Sequence, residues 1–429
     1  MDKNTLSNYG WIIVTTIIIA LMIILATPFG NYMKDSFTDI TEQFTEAVNV
    51  EQEDMEDVED EEFSKLEITS ETSGIILTPS AGHDEADMLA GNLQGGDVVT
   101  YADYTYNYYG TGWSIFTVSD TTKTSYSEIA TTVLGKDVVG MDATFMNCTN
   151  MTTAPKLPDT LKTMAGTFMG CTNLTEAPVI PNDVVGMDAT FENCVNMTTA
   201  PKLPDTLKTM AGTFAYCTSL TETPVIPNGV EKMIGTFVGC ESLKTVQNLP
   251  TSLTMLSGTF NGCKELENVP DIPNSVTDMQ GAFWGCESLV SAPRLPDSLD
   301  IGTQAFRYCS ALKDAPVLPE SVTNIEAMFE GSGIVVAPAI PGNVTTMIGT
   351  FKDCKSLTTG STIPASVNCM PEVYMGCTSL TGNIEINSSD SGLVYIRAFS
   401  GTSQPITLSG SCSILSDIAA TGSGNVTVQ

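Results

Sequence analysis

From Met141 to about Leu380 the apolar positions recur every 23 residues. Aromatic rings head the pattern: Phe145, Phe168, Phe191, Phe214, Phe237, Phe260, Phe283, Phe306 and Phe329, then Phe351 one residue early and Tyr374 back in step. Six residues after the ring stand Leu174, Met197, Leu220 and Leu243; twelve after it Leu157, Ile180, Leu203 and Ile226; sixteen after it Leu161, Val184, Leu207 and Val230. A period in the twenties held in register is the signature of a solenoid, because a unit this small buries its apolar face only against its neighbours. The three columns are predicted to point inward and stack, each aliphatic side chain contributing about 1.5–3 kcal/mol on burial.

Polar and punctuating residues give the unit its corners. Pro158, Pro181, Pro204, Pro227, Pro250, Pro273, Pro296 and Pro319 follow the Leu/Ile column, and proline, with no N–H to donate, ends a short extended run. Met164, Phe168 and Cys171 step at helical intervals, which predicts a short helical turn on one side of each coil. The blocks 137–182 and 183–228 are nearly identical, and P-x-L-P-D alternates with P-x-I-P-N, so the unit is doubled.

Ile272–Pro273–Asn274–Ser275–Val276, followed by Gly281–Ala282–Phe283–Trp284–Gly285–Cys286–Glu287–Ser288–Leu289, resembles the BspA-like leucine-rich repeat, whose pattern is I-P-x-S-V, a gap, then A-F-x-G-C-x-x-L. The resemblance covers a little over half the chain. It implies a right-handed, β-rich leucine-rich-repeat solenoid with a ladder of short parallel strands, of the kind carried on bacterial surfaces. The extra Ala–Pro before the Leu/Ile column (Ala177–Pro178, Ala200–Pro201) departs from the commoner pattern and leaves the strand length open.

The flanks read differently. Trp11–Phe29 is almost wholly apolar and as a helix spans roughly 28 Å, enough for a bilayer core. The expected organisation is a cytoplasmic end (1–10), a single signal-anchor span (11–29), and a juxtamembrane helix with an acidic linker (30–64); a cleaved signal peptide and a pilin-like core helix are the alternatives for the apolar stretch. The expected location is the cell membrane, with the N-terminus inside and the repeats extracellular, although one lysine before the span is a small charge bias. Glu51–Glu62 is a run of acid that reads as a solvated spacer. Residues 65–136 are expected to form a cap: a hairpin with Tyr101, Tyr104, Tyr106 and Tyr108 before the Gly110–Gly112 turn and Trp113, Ile115 and Phe116 after it, then a capping box at Ser125–Glu128 opening a helix with Ile129 and Val133 inward. The same tyrosines offer the alternative of a carbohydrate-binding face. Repeats are expected over 137–380 and a degenerate C-terminal cap over 381–429, about eleven coils in all, with any membrane attachment N-terminal.

Charge and chemistry narrow the function. A net charge of -32, with 50 acidic against 18 basic residues, opposes nucleic-acid binding. The single histidine, His83, leaves no room for a His-based metal site or triad, and no nucleophile–base pair or phosphate loop occurs, so neither an enzyme nor a cofactor is expected. Cys148, Cys171, Cys194, Cys217, Cys240, Cys263, Cys286, Cys309, Cys354 and Cys377 each follow a ring by three residues and are expected to form a buried ladder of free thiols. Ser332 breaks that row, and Cys369 and Cys412 lie off it. Tyr216, Trp284 and Arg307 vary beside the ring–cysteine core and are the candidate surface-binding residues. The expected partner is an extracellular protein or glycan held by a surface scaffold. The alternative is a structural subunit of a filament or layer assembled through the N-terminal apolar helix.

Overall fold

The computed structural model describes residues 63–388 and 392–429. The span, the cytoplasmic end and the acidic linker fall outside them, apart from the linker's last two residues. Among the described residues no helix is long and apolar enough to cross a membrane.

A seven-stranded mixed sheet comes first. Its strands are β1 (Leu66–Ile68), β2 (Ile76–Thr78), β3 (Val98–Tyr101), β4 (Tyr104–Tyr108), β5 (Trp113–Val118), β6 (Ala130–Val133) and β7 (Lys136–Gly140), in the order β1-β6-β7-β5-β4-β3-β2. A five-residue helix, α1 (Glu85–Leu89), stands between β2 and β3. In β4 the alternation turns Tyr104, Tyr106 and Tyr108 inward, where all three are buried. Burial removes them as a carbohydrate face. Their hydroxyls are satisfied internally: Tyr104 donates to the Ser127 carbonyl at 2.6 Å, and Tyr106 accepts from the Ala130 N–H at 3.1 Å.

The helix expected from the capping box does not form; β6 takes its place. Asp103 accepts both the N–H and the hydroxyl of Ser127, while Glu128 accepts from Ser64. The box is therefore spent on tertiary contacts, and the β-branched run Thr131–Val133 prefers the pleated conformation. Ile129 and Val133 are buried all the same. At its end β7 becomes the first rung of the array, because Gly140 bridges Thr163.

Rings hold the array's centre line. Phe145 starts a column that runs through Tyr374 and adds Phe399 beyond the expected end, with successive centroids 5.2–5.9 Å apart. Most neighbours lie within 12° of parallel. Tyr104 and Tyr126 pack on the first ring. The three aliphatic columns are buried beside the rings. Thr167, Thr190 and Thr213, one residue before the ring, are buried too; the Thr167 hydroxyl lies 2.7 Å from the carbonyls of both Met141 and Met164, joining two coils.

Two sequence expectations are corrected here. Extended pairing in the array is reduced to isolated parallel bridges, such as Thr163↔Gly186 and Glu176↔Thr199, because the prolines, two in most coils, remove ladder donors. Within the array, continuous parallel strands appear among the described residues only at the C-terminal end, where β8 (Gly382–Glu385), β9 (Ile406–Ser409) and β10 (Val426–Val428) form one sheet beside a second five-residue helix, α2 (Leu415–Ala419).

The segment around each ring is also not helical. Residues two before and two after the ring take positive φ, as at Ala143 and Asn147 or Ala189 and Asn193, and two left-handed residues interrupt any helix. The backbone alternates its donors instead. Met146 and Cys148 donate three residues back within the coil, while Ala143, Phe145 and Asn147 donate to Ala165, Thr167 and Met169 of the next coil. Turn and ladder are thus one structure, repeated along the array.

Candidate functional site

The positions one and two residues after each ring form a wall that is exposed at Tyr216 and Tyr308, half-buried at Trp284 and Arg307, and buried at Ala215, Val238 and Glu330. Trp284 and Arg307 occupy the first position of adjacent coils and meet there. The Arg307 guanidinium lies 4.8 Å from the Trp284 ring centroid and 4.9 Å from that of Tyr308. Its Nη2 donates to Glu330 Oε1 at 2.9 Å and to the Tyr308 hydroxyl at 3.1 Å, while its Nε is buried without a partner. Two aromatic faces and a carboxylate fix this side chain, and a fixed side chain loses little entropy on binding. Further along the array Lys352 and Arg397 converge on Glu372, at 2.8 and 3.0 Å.

Tyr216 lies three coils from Trp284 and joins no such cluster. It is 40% exposed and left-handed at φ 58. Its ring lies over Gly239 of the next coil, where an added Cβ would stand 2.5 Å from Cδ1. Tyr308 lies over Gly331 in the same manner. Sequence reasoning missed Tyr308, Glu330 and Glu192, although aligning the two positions after the ring coil by coil would have put them beside the nominated residues.

Glu192 is only 9% exposed, and its carboxyl makes no hydrogen bond or ion pair. Burial pushes its pKa up to about 7. An acid raised in the folded state binds protons there that the unfolded chain has lost, so its contribution to stability falls as pH rises from the ordinary glutamate range to about 7. Asp142 and Asp188, three residues before their rings, are pushed up to about 6, again chiefly by burial, though each accepts a backbone N–H from the next coil (Ala165 at 2.8 Å, Ala211 at 2.7 Å).

The ten column cysteines are buried and free. Nine donate Sγ to the ring residue's carbonyl in the preceding coil, from Cys171 on Phe145 at 3.2 Å to Cys377 on Phe351 at 2.9 Å. Cys148, in the first coil, lies 3.0 Å from the Tyr126 hydroxyl, which donates to it. Ser332 sits in the vacant place and pairs with Cys354 at 3.6 Å. Burial drives these thiols upward, Cys194 and Cys354 to about 12 and Cys263 and Cys286 well above their ordinary value. Since the thiolate is the reactive form, iodoacetamide at pH 8 is expected to label half-buried Cys369 and leave the ten column thiols unmodified until denaturant is added. Peptide mapping by mass spectrometry reads this directly, and labelling of Cys263 in the native protein would contradict it.

His83 is spent on structure. Its Nδ1 lies 2.9 Å from Oδ1 of fully buried Asp97, which also accepts the N–H groups of Ser80 and Gln94. Among the described residues no group of three or more His, Cys, Asp or Glu side chains is arranged to hold a metal ion. Hollows are shallow: one of about 520 Å³ lies between α2 and β10, and one of about 260 Å³ lies between Pro178 and Pro201. Neither adjoins Trp284 or Arg307.

A leucine-rich repeat protein from Bacteroides ovatus ATCC 8483 is similar in structure, with a TM-score of 0.52 and 22% identity over 77% of this chain and 98% of that one. A leucine rich cell surface protein from Faecalibacterium prausnitzii A2-165 gives a TM-score of 0.42 and 22% identity over 69% and 96%. The T. pallidum leucine rich repeat protein gives 0.38 and 22% over 49% and 89%. No curated protein matches the sequence. The family model described as BspA type Leucine rich repeat region matches residues 141–257 and 233–358 with six copies, half of the chain, and the chain belongs to that family.

Proposed function

We propose that this chain is a membrane-anchored bacterial cell-surface scaffold that binds an extracellular protein or glycan through the wall carrying Tyr216, Trp284 and Arg307. The observation that carries the reading is the Trp284–Arg307–Tyr308 cluster: the residue types that dominate binding hot spots, held rigid on a long regular surface. The apolar stretch Trp11–Phe29 supports the anchor and the acid-rich sequence after it a spacer. The N-terminal sheet acts as a lid, since an array's first coil must be covered and buried Tyr104 meets Phe145.

The experiment joins topology to binding. Intact native cells are shaved with protease, and full-length protein is screened against extracellular matrix proteins and glycans alongside Trp284→Ala and Arg307→Ala. Release of the repeats from the cell surface, with a ligand lost in both variants, is the expected outcome. Repeats protected inside the cell, or ligand binding indifferent to both substitutions, would overturn the proposal.

A further inference from the structure

The wall contains its own template for a second site. In the coil of Phe306, a guanidinium stands one residue after the ring, covers the tyrosine that follows it and reaches a carboxylate of the adjacent coil at 2.9 Å. Four coils earlier, in the coil of Phe214, the tyrosine recurs in the same register. Tyr216 and Tyr308 are both left-handed, at φ 58 and 60, and each ring lies against the glycine two residues after the next coil's ring. A carboxylate is present too: Glu192 on the preceding coil, whose chain neighbour Asn193 donates its N–H to the Ala215 carbonyl at 2.8 Å. The carboxylate comes from the opposite side, because Val238 stands where Glu330 does in the template, and the cation is absent. Where Arg307 stands in one coil, the other has Ala215, which ends at its Cβ.

We propose that the wall over Ala215 is a binding site for a cationic side chain, lysine or arginine, presented by a partner protein, with the Glu192 carboxylate and the Tyr216 ring receiving it. The inference rests on the reading of this wall as an interaction surface. A buried carboxylate with neither hydrogen bond nor counter-ion is a cost that a cation removes. The exposed ring supplies the second contact, since a cation over a tyrosine face is attracted by its quadrupole. A net charge of -32 brings basic partners in faster than neutral ones. Ala215 itself is only 3% exposed, so the proposed site lies at the level of the Glu192 and Tyr216 side chains and not in a hollow over the alanine.

The test uses full-length protein and an acetylated, amidated tri-arginine peptide, titrated calorimetrically at fixed ionic strength. Three variants separate the site from the general negative field. Glu192→Gln removes the proposed acceptor, Asp205→Asn removes one exposed charge from the same coil, and Ala215→Arg supplies the guanidinium from within, as Arg307 does. Hydrogen bonds to charged groups carry enough energy for about a tenfold effect. Glu192→Gln is expected to weaken peptide binding about tenfold and Asp205→Asn to leave it within about twofold. Ala215→Arg is expected to abolish it and raise Tm.

Equal affinities for Glu192→Gln and Asp205→Asn would overturn the proposal. So would millimolar peptide failing to bind wild type, or Ala215→Arg binding unchanged. If Ala215→Arg does not fold, the other two variants still decide. A flat result, with a partner still captured through Trp284, removes the cation site and leaves the scaffold reading standing.

Discussion

Replacing Phe237 by alanine is expected to cost about 3–5 kcal/mol, the range for deleting a buried aromatic ring. The ring is fully buried between Phe214 and Phe260, at 5.5 and 5.7 Å and within 5° of parallel to both. Each stacked pair adds about 0.5–1.5 kcal/mol beyond the area it buries, and the substitution breaks two pairs in mid-column. In a solenoid each coil touches only its neighbours, so stability is a sum of coil and interface terms. The damage should therefore divide the array instead of loosening it evenly. Urea unfolding followed by circular dichroism is expected to shift to lower denaturant and to broaden or split. Hydrogen exchange should accelerate first around residues 210–265. Phe237→Leu, which keeps an apolar plug, should lose less than half as much. A shift under about 1 kcal/mol, well below that range, would mean that the aromatic column does not couple the coils.

Periodicity made the centre of the array legible. A 23-residue step puts Phe145 to Phe329 in one column whatever the local backbone does, and the aliphatic columns follow from the same count. The local backbone was the part that spacing misdescribed. Met164, Phe168 and Cys171 stand at intervals of three and four, which suit consecutive turns as well as a helix. The discriminating signal lay two residues after the ring, where Gly170, Gly239, Gly262 and Gly285 share a place with Asn147, Asn193 and Asp353. These are the residue types that tolerate the left-handed conformation, and a helix would not ask for them coil after coil; Tyr216 and Tyr308 take the same conformation at that place without being of those types.

The candidate site was half legible. Trp284 and Arg307 are 23 residues apart and therefore adjacent, but Glu330 belongs to the next coil and shows only when columns are read together. The burial of Glu192 was hidden for a different reason. It is a property of packing that no spacing expresses.

Gly333→Ala is expected to cost at least about 1–3 kcal/mol, the scale of an overpacked core, and more than Gly342→Ala in the same coil. The cause is the one coil that is a residue short: Phe351 follows Phe329 by 22 residues where its predecessors follow by 23. The chain absorbs the deletion just after Ser332. There the Gly333 N–H donates to the Cys309 carbonyl at 3.1 Å, drawing the backbone against the preceding coil. A Cβ at Gly333 would run into the Ser310 carbonyl oxygen and stand 3.0 Å from that of Leu312. Both obstacles are backbone, so no rotamer change relieves them; the coil must move away, and the Phe306–Phe329 and Phe329–Phe351 stacks, each at 5.9 Å, open with it. Gly342 in the same coil is the control, because a Cβ there meets nothing within 4 Å and its φ is not positive. Gly342→Ala should be neutral or stabilise by about 0.4–1 kcal/mol through the unfolded chain. Paired denaturation midpoints measure the contrast. Equal midpoints would show that the short coil relaxes freely at this point. A loss confined to Gly333→Ala would show that the repeat tolerates its missing residue only where the chain carries no side chain.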